Sequence, residues 1–203
     1  MERAGPSAAR STWQDDFELF FIGELEFGLH FPDLSFKEGL FVDYSVHAGE
    51  KWLAMSGPEG YVGQTQTAYA DPDGVYVFNH PINFHFVTVS IAGWPRLHIQ
   101  VGRLDEAGRA DTVSYGSIAL PLRPGHSELS CKTWTPVSGS MVNEARAVHG
   151  LGRTELLSRQ EVLDGQNAEA RVQLVTKSSG TVSIAVDTIF RNARLHGFAV
   201  SER

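Results

Sequence analysis

The sequence predicts an all-β protein, an antiparallel β-sandwich, and three observations carry that reading. The first is strict alternation. In Ile82-Asn83-Phe84-His85-Phe86 the apolar side chains fall on one side, with Asn83 and His85 on the other. In Arg96 to Val101, Leu97, Ile99 and Val101 oppose Arg96, His98 and Gln100. Period two is the mark of a half-buried strand. Each run is opened by a proline, Pro81 or Pro95. A proline has no N–H for the ladder, so it is expected at the first residue of its strand. Ser90–Gly93 is expected to supply the turn between the two. The second observation is spacing, with further strand-like runs separated by turn signals roughly every ten residues, as in two-sheet sandwiches. The third is composition: 203 residues, 42% of them hydrophobic, are enough for one sizeable core.

The elements follow in order. Residues 1–18, dominated at the start by Ala, Ser, Pro and Gly without periodicity, are expected to be a mobile N-terminal tail, and residues 19–200 a single domain. Structure should begin at Phe20–Phe27. A loop with Pro32-Asp33 and Lys37-Glu38-Gly39 leads to a strand over Leu40–His47, and Gly60–Ala70 reads as extended. Asp71-Pro72-Asp73-Gly74 is a turn, because proline presets φ and glycine accepts positive φ. After the two opening strands come a polar loop, Leu104–Asp111, and strands over Thr112–Leu122 and Ser127–Trp134. Val142, Ala145 and Val148 follow a helical spacing, which predicts a short helical or irregular excursion near residues 141–160. The final pair, Ala170–Thr176 and Thr181–Ile189, reads as a hairpin joined by Lys177-Ser178-Ser179-Gly180, with Val182, Ile184 and Val186 sharing a face.

Charge and cysteine usage exclude several classes. A net charge of −7, with 17 basic residues dispersed, argues against nucleic acid as a partner, since phosphates need clustered Lys and Arg. Only Arg191–Arg194 and His196 are locally positive. No apolar run reaches the roughly 18–20 residues of a membrane span, and the N-terminus lacks the apolar core of a secretory signal. The single cysteine, Cys131, permits no internal disulfide or four-cysteine zinc site and fits a reducing compartment. A cytoplasmic location is expected.

A set of short motifs recurs in a telling order: Gly63-Gln64-Thr65-Gln66, His80-Pro81-Ile82, Gly93-Trp94-Pro95-Arg96-Leu97-His98, Tyr115-Gly116, Pro124-Gly125-His126 and Thr133-Trp134-Thr135-Pro136. Together they resemble the B9 domain family of ciliary transition-zone proteins, from about Phe20 to Val200. The resemblance implies a C2-like sandwich. It implies a non-catalytic scaffold subunit of the Meckel syndrome (tectonic-like) complex at the ciliary basal body and transition zone, supporting ciliogenesis and the ciliary diffusion barrier. The partners it implies are other B9 domain proteins, among them B9 domain-containing protein 1 and the Meckel syndrome type 1 protein.

Chemistry is sparse. A calcium-binding C2 sandwich needs several carboxylates converging from two loops, because the ion takes six to eight oxygens. Arg103 stands where the first aspartate of one loop would be and Val113 where the last would be, leaving Asp105. In the other loop Asp33 survives, while Gly39 replaces a second aspartate. Calcium is not expected. His80, His85 and His98, read as lying on neighbouring strands, invite a zinc or iron reading, but alternation turns the histidines outward, away from an interior metal. No nucleophile elbow, Walker loop or assembled base and oxyanion donor is present, so neither an enzyme nor a cofactor is expected. Exposed aromatic and arginine side chains are the usual interface anchors, which makes Trp94 and Arg96, with His85 and His98, the candidate partner contacts. An alternative is a calcium-independent phospholipid-binding module, with Lys51, Trp52 and Arg109 as candidate lipid contacts. A metal-dependent β-sandwich enzyme ranks third.

Overall fold

A computed structural model describes residues 16–32, 34–56, 61–137, 163 and 174–197. They form ten strands: β1 (Phe17–Leu29), β2 (Gly39–His47), β3 (Trp52–Ala54), β4 (Tyr61–Gln64), β5 (Ala68–Tyr69), β6 (Tyr76–Thr88), β7 (Arg96–Leu104), β8 (Ala110–Ala119), β9 (Gly125–Pro136) and β10 (Thr176–Arg191), followed by a 3-10 turn, Ala193–His196. Every strand pairing is antiparallel. The order is β3-β6-β1-β10-β9-β8-β7-β2-β4, with β5 beside β2. One hydrogen-bonded sheet therefore wraps into two layers. It bends between β9 and β8, where Tyr115 and Trp134 are the only paired residues among those described. It almost closes on itself, because β5 pairs β2 at Gly39 and Leu40 while Ala70 bridges to Tyr76 of β6.

Alternation fills the space between the layers. Leu19 and Phe21 of β1, Phe84 of β6, Leu40 and Val42 of β2, Leu97 of β7, and Val182, Ile184 and Val186 of β10 are buried in one cluster. Polar side chains tie the segment after β4 to β2, and tie both β2 and the β4 segment to β6. Thr65 Oγ1 accepts a hydrogen bond from the Val42 N–H at 3.0 Å, and the Gln66 amide donates to the Phe78 carbonyl. Tyr44 Oη lies 3.3 Å from His80 Nε2, and the Tyr61 hydroxyl donates to the His85 carbonyl at 2.6 Å. Polar side chains here replace the ladder that a further strand would have supplied.

Four expectations are corrected. Pro81 lies inside β6, opposite Glu24 of β1, and not at the strand's start. It is tolerated because β3 covers β6 only at Phe86–Thr88, so at Pro81 the strand is an edge that needs no further donor. Pro95, by contrast, does precede β7. Lys177–Gly180 is strand rather than hairpin turn: β10 runs through it beside β9, with a bulge between Ser178 and Thr181. Gly180 fits there because a Cβ would stand 2.5 Å from the Phe31 ring. The strands bearing His85 and His98 are not neighbours, since β6 pairs β1 and β3 while β7 pairs β2 and β8. Finally, β1 begins at Phe17, inside the segment read as tail. The helical spacing near residues 141–160, and Asp33, lie outside the described residues.

Candidate functional site

The register sorts the loops into two ends. Gly39 of β2 pairs Leu104 of β7, and His47 pairs Arg96. At one end lie the loops 48–51, 89–95 and 120–124 with the 192–197 segment. At the other lie the 105–109 loop, the 71–75 turn and Glu38. Nine-residue β2 separates the ends by roughly 30 Å at about 3.3 Å per residue. Lys51 and Trp52 therefore belong to one end and Arg109 to the other, so no single flat surface touches all three.

The first end is built on two tryptophans. Trp52 Nε1 donates to the Ala92 carbonyl and Trp94 Nε1 to the Leu120 carbonyl, each at 2.9 Å. The indoles meet edge to face at 5.1 Å. Gly49 donates to the Gly93 carbonyl at 2.8 Å, which fastens the first loop to the second. Trp52 is 8% exposed and Trp94 half-buried, so both serve chiefly as the base on which the loops rest. Arg96 is exposed, its Nε donating to Ser117 Oγ at 3.2 Å. Beyond this base Val89, Ile91, Leu122 and Leu195 stand exposed. Sequence reasoning missed them, because nothing in a lone loop valine or leucine distinguishes a protruding side chain from a buried one.

The opposite end is built on Arg103. Its guanidinium is buried, donating to Glu38 at 3.1 Å and Asp111 at 2.8 Å. A fixed cation of the chain thus sits between two carboxylates at this end. Val113 is core. Asp105 instead folds its own turn, accepting from the Ala107 and Arg109 N–H groups at 2.9 and 2.8 Å and from Arg109 Nε at 2.7 Å. The Arg109 backbone N–H is the leading cause that holds the Asp105 carboxyl below the usual aspartate range.

The candidate histidines part company. His85 lies on the outer face of the β6–β1–β10 layer, its ring stacked on Phe20 at 4.1 Å and its Nε2 3.1 Å from Glu18. Arg191 completes that cluster with a 3.0 Å bond to the other Glu18 oxygen. Glu18 is only 6% exposed on a face that alternation leaves to solvent. The same face carries Ile22, Leu53, Met55 and Ile189, all exposed. His98 is 3% exposed and stacked on His47 at 4.6 Å, so the expected outward ring is buried. His80 turns inward to Tyr44. Among the described residues no cluster of three or more His, Cys, Asp or Glu is placed to hold a metal, and no helix is long and apolar enough to cross a membrane. Cys131 is buried at 1%, and desolvation pushes its thiol up to about 12, far from a reactive thiolate.

An all-β fold wrapped into two antiparallel layers around one core, with its ends plugged by its own side chains, defines a C2-like β-sandwich. Residues 19–189 match the family model B9-C2, described as "Ciliary basal body-associated, B9 protein". The chain belongs to this family. It is 33% identical over 180 residues to B9 domain-containing protein 2 of Homo sapiens, covering 89% of this chain and 97% of that one. It is 35% identical over 163 residues to the Rattus norvegicus protein of the same name, with 80% and 90% covered. Against B9 domain-containing protein 1 of Mus musculus it is 25% identical over 183 residues, with 90% and 86% covered. A C2 domain of plant extended synaptotagmin 1 aligns over 85% of this chain and 93% of that one, at 10% identity and a TM-score of 0.44.

Proposed function

We propose that the chain is a non-catalytic scaffold subunit of the ciliary transition-zone assembly, binding other B9 domain proteins, among them B9 domain-containing protein 1 and the Meckel syndrome type 1 protein. The observation that carries this reading is the outer face of β3, β6, β1 and β10. There Ile22, Leu53, Met55 and Ile189 stand in water around an ion cluster that is already formed within the chain. Apolar area of this kind is what association removes from water, at about 1.5–3 kcal/mol for each large side chain fully covered. Because Arg191 and His85 already face Glu18, a partner covers the carboxylate without having to supply a countercharge. Among the described residues, Arg103 is engaged by Glu38 and Asp111 and the Cys131 thiol is held protonated, so both serve the fold.

The test is co-expression of the full chain with B9 domain-containing protein 1 and the Meckel syndrome type 1 protein, followed by size-exclusion chromatography. Co-elution is expected for the natural sequence. Ile22→Asp combined with Ile189→Asp is expected to abolish it while leaving the circular dichroism and melting temperature unchanged. Co-elution that survives this double substitution would move the contact to another surface, and no co-elution at all would end the scaffold reading.

A further inference from the structure

We propose that the open edge of β4 pairs with the same edge of a second copy, joining two chains through one continuous antiparallel layer. Strand β4 ends the sheet order, and among the described residues it pairs β2 alone. Its main-chain groups sort by alternation. The Thr65 N–H donates to the Val42 carbonyl at 2.9 Å, so Gly63 and Tyr61 also turn their N–H and C=O groups to β2. Val62 and Gln64 therefore turn theirs away from the sheet. The side chains that reach β6 come from Tyr61 and Gln66, and they leave this edge uncovered. Val62 is 67% exposed, and Gln64 is exposed as well.

Edge strands are ordinarily guarded by lysine, proline or an inward charge, because a row of unpaired donors and acceptors invites another chain. Here the guard is missing. Residues 61–70 contain no Lys, Arg, Asp, Glu or Pro, in a chain of which 20% is charged. Across the gap, residues 74–95 hold none of the four charged types either, but there Pro81 blunts the edge of β6. The missing charge also selects the occupant. A segment bearing Lys or Asp would lose hydration against this edge with no counter-ion to meet it. A copy of the edge brings no charge, the same extended backbone and the complementary donors and acceptors. A two-fold axis at Gly63 sets Val62 opposite Gln64 of the second copy, and each such pair exchanges both main-chain bonds. The pairing extends the layer of β2 and β4 and leaves the outer face of β1 and β10 in water. It is therefore independent of the partners proposed for that face.

The experiment is light scattering on the full chain during size-exclusion chromatography over a roughly hundredfold range of concentration, with hydrogen exchange followed at both extremes. The expected result is a monomer–dimer equilibrium in which the Val62 and Gln64 amides gain protection as the dimer forms. The Tyr61 and Gly63 amides, already bonded to β2, should change little. Val62→Pro removes an edge donor but no bond to β2, so the melting temperature of the monomer should hold. Its dimer dissociation constant should rise about tenfold or more, because the lost bond counts once for each copy. Val62→Lys with Gln64→Lys should leave only monomer at low salt, since lysines of both copies crowd the axis, and added salt should restore part of the dimer. Ile22→Asp with Ile189→Asp should not alter self-association, so failure here and failure of the scaffold reading are told apart. A chain that stays monomeric throughout the range would overturn the proposal. So would a dimer whose Val62 and Gln64 amides exchange as fast as in the monomer, or a Val62→Pro chain that dimerises like the natural one. Loss of co-elution with B9 domain-containing protein 1 on Val62→Pro, in a chain that is itself monomeric, would make this edge a contact for a different protein and equally overturn it.

Discussion

At one end of the sandwich two indole N–H groups hold loop carbonyls and leave apolar tips in water; at the other a buried guanidinium gathers two carboxylates and leaves an acidic rim. Both arrangements close the same gap between layers. The tryptophans do so with large apolar volume and one hydrogen bond each, which satisfies the loop backbone and needs no countercharge. Arg103 does so with charge, and buried charge is secure only while every partner remains. The aromatic end can therefore lose surface residues freely, whereas the ionic end cannot lose its centre. That difference separates a surface available for recognition from a device of the fold.

The sharpest way to break the comparison is Arg103→Met. Glu38 and Asp111 would then face each other near the core without a cation, and a loss of about 3–5 kcal/mol is expected in the urea midpoint. Adding Glu38→Gln and Asp111→Asn should restore much of it, whereas a purely volumetric role would show no recovery. The next largest effect is at the aromatic end. Gly93 has φ of 73°, and a Cβ there would stand 2.5 Å from the Gly49 Cα. Gly93→Ala is expected to cost about 1–3 kcal/mol in the same measurement and to loosen both loops. A stability equal to the natural chain would mean that the two loops are not held by that contact.

Smaller is the acid response of the ionic end. Because the Asp105 carboxyl titrates below its unfolded value, its contribution is present above the ordinary range of about 3.9 and is lost as pH falls through the folded value. Hydrogen-exchange protection of the Ala107 and Arg109 amides should decline there, and Asp105→Asn should remove the pH dependence. Smallest of all, Ile91→Ser should leave stability within about 0.5 kcal/mol of the natural chain, as expected for an exposed tip. A large loss would show that Ile91 belongs to the core and would blunt the contrast between the ends.

Much of the fold was legible from single positions. Leu97, Ile99 and Val101 announced their inward face by alternation, and Val182, Ile184 and Val186 did the same. The Asp71–Gly74 turn was also readable, and in the structure Asp71 Oδ1 accepts from the Asp73 and Val75 N–H groups at 2.9 and 2.8 Å. What misled was local chemistry with two uses. Ser178-Ser179-Gly180 suits a turn, but it also suits a bulge pressed against a ring. Pro81 suits a strand's start, but also an uncovered edge. Glu18 gave no signal at all: an acidic residue in an outward position reads as solvated, and only the approach of His85 and Arg191 makes it a buried ion.

Periodicity, turn chemistry and motif order were enough to establish an antiparallel sandwich of the B9 family, because each depends on neighbours along the chain. Which loops share an end, which histidine is buried, and where the positive and apolar side chains meet were settled only by strand order. Lys51, Ile91, Leu122 and Leu195 are far apart in sequence, and no local rule relates them. The wrapping of one sheet into two layers brings their segments together, since the pairing partners of a strand depend on the whole chain.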